Sequence, residues 1–152
     1  FIVYKEHPDV VAGARKGGDA QAIARLADLV LREGDLGGLY GQIDRLHVVT
    51  SLAGFEALMR GVPVTTWGVP FYAFWGLTED RATCPRRVRR LDLDALTAAA
   101  LILYPLYADP LSRCPCGPED YLTALDALRA SPPAPPRRSL VGRLIRWART
   151  RA

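Results

Sequence analysis

Long hydrophobic runs are missing from this chain. The longest candidate, Leu96 to Tyr104, is about half of the ~20 residues a helix needs to span a bilayer, which excludes a membrane-spanning reading. Cysteine is scarce: of three, Cys84 stands alone and Cys114-Pro115-Cys116 lack the C-x-x-C spacing of a zinc site. They read as reduced thiols of a cytosolic protein, with a metal or redox role as the alternative. No G-x-G-x-x-G, no Walker A motif and no Ser-His-Asp pattern occurs, which argues against dehydrogenase, NTPase and hydrolase functions. An initiating Met, a basic n-region and a cleavage site are also lacking, so the chain reads as a fragment or one lobe of something larger.

What is present is enough for a core. The chain has 152 residues, of which 49% are hydrophobic and 24% charged, as expected of one globular domain. The net charge of +4 conceals an asymmetry. The last sixteen residues carry six Arg and no acid, so the other 136 hold 14 basic against 16 acidic side chains, a net −2. A basic character confined to a tail, over a nearly neutral body, speaks against a nucleic-acid-binding domain.

Along the chain, Phe1 to Tyr4 reads as a strand ending at Lys5-Glu6-His7-Pro8, because Pro8 biases His7 away from helix. Asp19 as N-cap, apolar Ile23, Leu26, Ala27, Val30 and Leu31, and Gly34 as the stop predict one amphipathic helix. Leu46 to Thr50 reads as a strand, Ser51 to Gly61 as a helix, and Val62 to Trp67 as a strand. The alternation predicts an α/β fold: a Rossmann-like parallel sheet with helices on both faces, ligands lying beyond the strand C-termini. Asp92 should cap an apolar helix ending before Pro105, and Pro118 should start another with Leu122, Leu125 and Leu128 on one face. The expected organisation is a lobe over residues 1–130, a Pro-rich linker over 131–138 and a basic amphipathic helix over 139–152.

Two segments are placed to do chemistry. Lys5 and His7, at i and i+2 on an extended segment, point the same way and can meet an anion beyond the sheet edge. The structural alternative is a His held by a backbone hydrogen bond before proline. Thr50 and Ser51 end a strand as a helix begins, offering hydroxyls and first-turn N–H groups to an anion, with Gly54 permitting close approach. Here the alternative is simple N-capping by Ser51. Glu56, in the first turns of the same helix, is a candidate acceptor for ribose or base. If both segments follow strands of one sheet, they form a single crevice fit for a nucleotide monophosphate. Phe71, Tyr72, Phe74 and Trp75, bracketed by Gly68 and Gly76, read as a loop lining that cleft or as hydrophobic cover for the sheet. Arg86 and Arg87 belong to a cluster of arginines, most often a solvated face. In the tail, Leu140, Val141, Leu144, Ile145 and Trp147 fall largely on one helical face among arginines, the pattern of a helix on an anionic membrane surface or of a C-terminal helix packed on this lobe or its missing partner.

These residues carry a resemblance. Tyr4-Lys5-Glu6-His7-Pro8-Asp9, Thr50 to Val64, Gly68 to Thr78, Arg86-Arg87 and Tyr104-Pro105-x-Tyr107-x-Asp109-Pro110 occur in the order that resembles the capsule polysaccharide biosynthesis and export family of the KpsC/LipB type, over about residues 1–125. The resemblance implies the nucleotide-binding C-terminal lobe of a GT-B glycosyltransferase. Such an enzyme transfers 3-deoxy-D-manno-oct-2-ulosonic acid (Kdo) from CMP-β-Kdo with retention, building a lipid-linked β-Kdo linker. It further implies that His7-Pro8 and Thr50-Ser51 bind CMP, that Arg86 and Arg87 meet a substrate carboxylate or an acceptor phosphate, and that the acidic nucleophile lies in an N-terminal lobe. The implied partners are CMP-Kdo, a lipid-linked acceptor and that lobe, with neither cofactor nor metal, at the cytoplasmic face of the inner membrane. A non-catalytic export or assembly module of the same fold is the alternative. One departure is Glu6, where the family usually has Pro.

Overall fold

The computed structural model describes residues 1–14 and 16–130. These form two compact units, the first Phe1–Leu96 and the second beginning at Thr97. The predicted tail over 131–152 lies outside the described residues.

The first unit is built from parallel strand pairs joined through helices. Strand β1 (Val3–Lys5) leads through a one-turn helix α1 (Pro8–Val11) and helix α2 (Ala20–Leu26) to β2 (Leu29–Leu31), and the two strands pair in parallel with Tyr4 opposite Val30. Asp19 caps α2 as expected, its Oδ1 accepting from the Gln21 and Ala22 amides at 2.9 and 3.3 Å. The single helix expected from Asp19 to Gly34 does not form. Ala27 turns extended (φ −99°, ψ 134°), and Leu29-Val30-Leu31 become β2. The apolar spacing fits either period over so short a run, and pairing with the β-branched and aromatic β1 settles it as strand.

The core lies around β3 (Leu46–Val48), α3 (Ala53–Met59) and β4 (Val64–Thr66). α3 turns Ala53, Phe55, Ala57 and Leu58 inward against Val48, Val62 and Val64, and Phe55 is only 2% exposed. Burying a side chain of that size contributes about 1.5–3 kcal/mol. β3 and β4 are parallel, with His47 opposite Thr65, and β4 takes a further parallel partner, β5 (Glu79–Asp80). β5 has no hydrophobic signal for sequence reasoning to find. Its two carboxylates alternate across the sheet, Glu79 toward Arg45 and Thr65, Asp80 onto the buried Thr66. The α/β class and the parallel pairing are as expected, but the strands fall into two sheets, β1–β2 and β3–β4–β5. The single sheet joining Lys5 to Thr50 is therefore corrected.

Helix α4 (Leu93–Ala98) starts where Asp92 Oδ1 accepts from the Ala95 amide at 2.7 Å, and continues as a π-helical turn over Ala99–Leu103 before Pro105. In the second unit, β6 (Tyr107–Ala108) and β7 (Pro115–Cys116) form an antiparallel hairpin that alternation did not predict, too short to show a period. Helix α5 (Pro118–Ala130) begins at the predicted proline. Its sheltered face carries Tyr121, Leu125 and Leu128, while Leu122, expected beside them, is exposed. Tyr107 and Tyr121 pack at 5.2 Å between ring centroids.

Candidate functional site

At the carboxyl end of β1, the Lys5 ammonium donates to the carbonyls of Glu6 and Arg32, both at 3.2 Å, which holds the charge where the two strands end. Glu6 lies 3.5 Å from Arg32 Nε, so the family departure is offset by a neighbouring guanidinium. His7 caps α1: its Nδ1 accepts from the Asp9 amide at 3.1 Å. The backbone-held alternative is thus realised at one nitrogen, and it has a chemical consequence. With Nδ1 an acceptor, the neutral ring carries its proton on Nε2, so the exposed imidazole keeps a donor for an anion.

Thr50 and Ser51 follow β3 and are exposed. Ser51 Oγ accepts from the Ala53 amide at 3.3 Å, a local turn contact just before α3; the N-cap position itself is Leu52 and carries no side-chain cap, so the alternative of N-capping by Ser51 does not form. Gly54 has a different neighbour from the one expected. A Cβ there would stand 2.2 Å from the Tyr72 hydroxyl oxygen, so the missing side chain admits the phenol of this chain rather than a ligand. Tyr72 is fully buried and its hydroxyl donates to the Ser51 carbonyl, so it fixes the backbone that carries the hydroxyl pair. Burial pushes its pKa up to about 12. Among the described residues no hydrogen bond joins the Lys5/His7 group to the Thr50/Ser51 group.

Glu56 is half-buried beneath Tyr40, whose hydroxyl shares its proton between the Ala53 carbonyl and Glu56 Oε2, each at 3.2 Å. Burial first, and the Glu56 carboxylate next, raise Tyr40 to about 12. Arg60 covers the outer face of this pair, its guanidinium 4.9 Å from the Tyr40 ring centre.

The aromatic loop is both cover and surface. Phe71 packs edge-on to Phe55 and Tyr72, with centroids 5.0 and 5.2 Å apart, yet keeps part of its ring exposed. Trp75 Nε1 donates to the Phe71 carbonyl at 2.7 Å. Arg87, a candidate for a substrate carboxylate or acceptor phosphate, donates to the Pro70 and Ala73 carbonyls, and its guanidinium lies 5.5 Å from the Trp75 ring centre. It holds the loop together. Arg86 is exposed. Asp80 fixes the other end of the loop: Oδ1 accepts from the Thr66 and Thr78 hydroxyls at 2.8 and 2.7 Å, and Oδ2 from the Phe74 amide at 3.0 Å. Phe74 has φ +67°, a strained value for a non-glycine that this hydrogen bond helps to maintain. Tyr40 and Asp80 were missed by sequence reasoning. Neither sits in a motif, and only tertiary contact reveals that each satisfies a polar group beside a candidate residue.

All three cysteines are free thiols, and Cys116 is pushed above the usual thiol range by burial and by the Asp109 and Asp120 carboxylates. Among the described residues, no three His, Cys, Asp or Glu side chains come together to hold a metal, and no helix is long and apolar enough to cross a membrane.

Residues 1–108 match the family model described as capsule polysaccharide biosynthesis protein. The chain is 47% identical over 107 residues to the lipopolysaccharide-processing protein LpsZ of Rhizobium meliloti, covering 70% of this chain and 24% of that protein. It is 49% identical over 111 residues to the capsule polysaccharide modification protein LipA of Neisseria meningitidis serogroup A, covering 72% of this chain and 16% of the relative. Among solved structures it is similar to Thermosulfurimonas dismutans KpsC, as β-Kdo 2,7 transferase and as β-Kdo 2,4 transferase. The TM-scores are 0.73 and 0.66, each at 38% identity, over 85% and 81% of this chain and 41% and 39% of those chains. The chain thus spans a quarter or less of the curated relatives it matches. A family match over most of its length, and an α/β fold shared with KpsC, place this chain in the capsule polysaccharide biosynthesis family.

Proposed function

We propose that this chain is the CMP-Kdo-binding lobe of a retaining β-Kdo transferase that builds a lipid-linked Kdo linker for capsular polysaccharide. The observation that carries the reading is the similarity to KpsC β-Kdo transferase structures at 38% identity over 85% of the chain. The site chemistry supports it. A CMP-sugar donor leaves as CMP, and negative charge grows on its phosphate as the glycosidic bond breaks. The groups assigned to that charge are the Lys5 ammonium and the His7 Nε2–H beyond β1 and the Thr50 and Ser51 hydroxyls beyond β3; these strands belong to separate sheets, so the reading requires the phosphate to bridge the ends of both. Glu56 and the exposed part of Phe71 are the candidates to meet ribose and base. The nucleophile and the lipid-linked acceptor belong to the rest of the enzyme, and the arginine-rich tail to its contact with an anionic membrane surface. A single phosphate neutralised by a lysine, a histidine and hydroxyls has no need of the divalent metal that a diphosphate donor recruits.

Calorimetric titration with CMP tests the reading. Losing a hydrogen bond to a charged group costs about 1.5–3 kcal/mol, so His7→Ala and Ser51→Ala are each expected to weaken CMP by roughly 10- to 150-fold. Binding should persist in EDTA. Unchanged affinity in both variants would remove the assigned residues, and a wild-type chain that ignores CMP would favour the non-catalytic export module.

A further inference from the structure

Five arginines run from Arg81 to Arg90; Arg86 and Arg89 are exposed without a partner among the described residues, and the other three have distinct surroundings. Arg81 is paired with Glu79, and Arg87 is engaged by the Pro70 and Ala73 carbonyls under the aromatic loop. Arg90 is different. The Leu91 amide donates to the Trp75 carbonyl at 3.0 Å, which pins the following segment against the end of the loop. There the Arg90 guanidinium lies over Gly76: its Cζ, Nη2 and Nε stand 3.0, 3.1 and 3.2 Å from where a Cβ would be. Near-equal distances to three atoms of one plane mean that the group lies face-on to Gly76, so its N–H donors radiate sideways rather than into the loop. Gly76 makes this approach feasible twice over, by lacking a side chain and by adopting φ +85°. Arg90 is exposed and has no hydrogen bond or ion pair with any carboxylate among the described residues, and residues 131–152 contain no Asp or Glu.

We propose that Arg90, laid flat on Gly76 at the end of the aromatic loop, is the residue that recognises the carboxylate of an anionic sugar donor. The inference rests on the nucleotide-sugar reading above and assigns to Arg90 the role for which Arg86 and Arg87 were the candidates. A planar fork of donors suits a carboxylate better than the point charge of a lysine does. Gly76 in turn sets the height at which the fork lies, because any side chain there would push the guanidinium away.

The experiment compares CMP with CMP-Kdo on the full chain by calorimetry, so that the nucleotide and the sugar acid are read separately. Arg90→Gln and Arg90→Lys are expected to leave CMP affinity within about twofold and to weaken CMP-Kdo about 10-fold or more, the loss typical of a charge-assisted hydrogen bond. The Arg90 Nε–Hε resonance, identified by its loss in Arg90→Lys, should shift on adding CMP-Kdo and stay in place with CMP. Gly76→Ala provides a second route, since it displaces the guanidinium without removing it and should also lower the preference for CMP-Kdo. A preference unchanged by Arg90→Gln, with CMP still bound, overturns the Arg90 assignment and leaves the nucleotide reading standing. A wild-type chain that binds neither probe overturns both.

Discussion

A methyl group at Gly54 would stand 2.2 Å from the Tyr72 hydroxyl oxygen and 2.6 Å from Cζ, inside a ring that is buried and tied to the Ser51 carbonyl. Gly54→Ala gains about 1 kcal/mol of helix propensity, but overpacking a rigid neighbour costs about 1–3 kcal/mol. The clash should win because Tyr72 has nowhere to retreat. Net destabilisation of up to about 2 kcal/mol is expected in urea denaturation, and Tyr72→Phe in the same chain should recover part of it by removing the nearest atom. A stability equal to wild type would mean that the ring is free to move. This pair shows how far a motif can be read. Thr50, Ser51 and Gly54 were visible as a strand-to-helix junction, whereas the reason for the glycine lies eighteen positions away in Tyr72.

At the scale of elements, α3 is flanked by two buried phenols, Tyr40 against Glu56 and Tyr72 against Ser51. Both have pKa values raised from 10.0 to about 12 in the folded chain. Between those values the folded state holds protons that the unfolded state has released, so their contribution to stability is complete below pH 10 and disappears as pH rises toward 12. Spectrophotometric titration of the six tyrosines should show a late component that merges with the others on denaturation. A single transition near pH 10 in the folded chain would contradict the packing around α3. The same element was well predicted because its apolar positions repeat at helical spacing over a complete run. β2, β5 and the β6–β7 hairpin were not, since two or three residues hold less than two periods of any pattern and their strand state depends on a partner. Arg87 stood out in the sequence only as one of a cluster of arginines; that it is held by the Pro70 and Ala73 carbonyls depends on tertiary contacts no local pattern encodes.

For the whole molecule, composition separates a nearly neutral body from a tail with six arginines. If the tail meets anionic lipid, the full chain should pellet with phosphatidylglycerol vesicles and a chain ending at Ala130 should not. The difference should shrink as salt shortens the screening length from about 10 Å at 0.1 M to about 3 Å at 1 M. Equal pelleting of both chains would remove the tail as the anchor.

The β1–β2 pair consists of two parallel strands of three residues, with Val3 37% and Leu29 43% exposed, whereas β3 and β4 share a buried core with α3. So small a parallel sheet has little buried area to resist opening, and amides in it should exchange with solvent deuterium through local unfolding well before those of β4. Lys5 and His7 are carried on this weaker unit. If a ligand grips them, its apparent affinity should fall by the fraction of molecules in which the strands are open. Mass-spectrometric exchange should find residues 2–6 and 29–31 slowed by CMP far more than residues 64–66. Equal protection of both strand pairs in the free chain would show that the unit is as firm as the core.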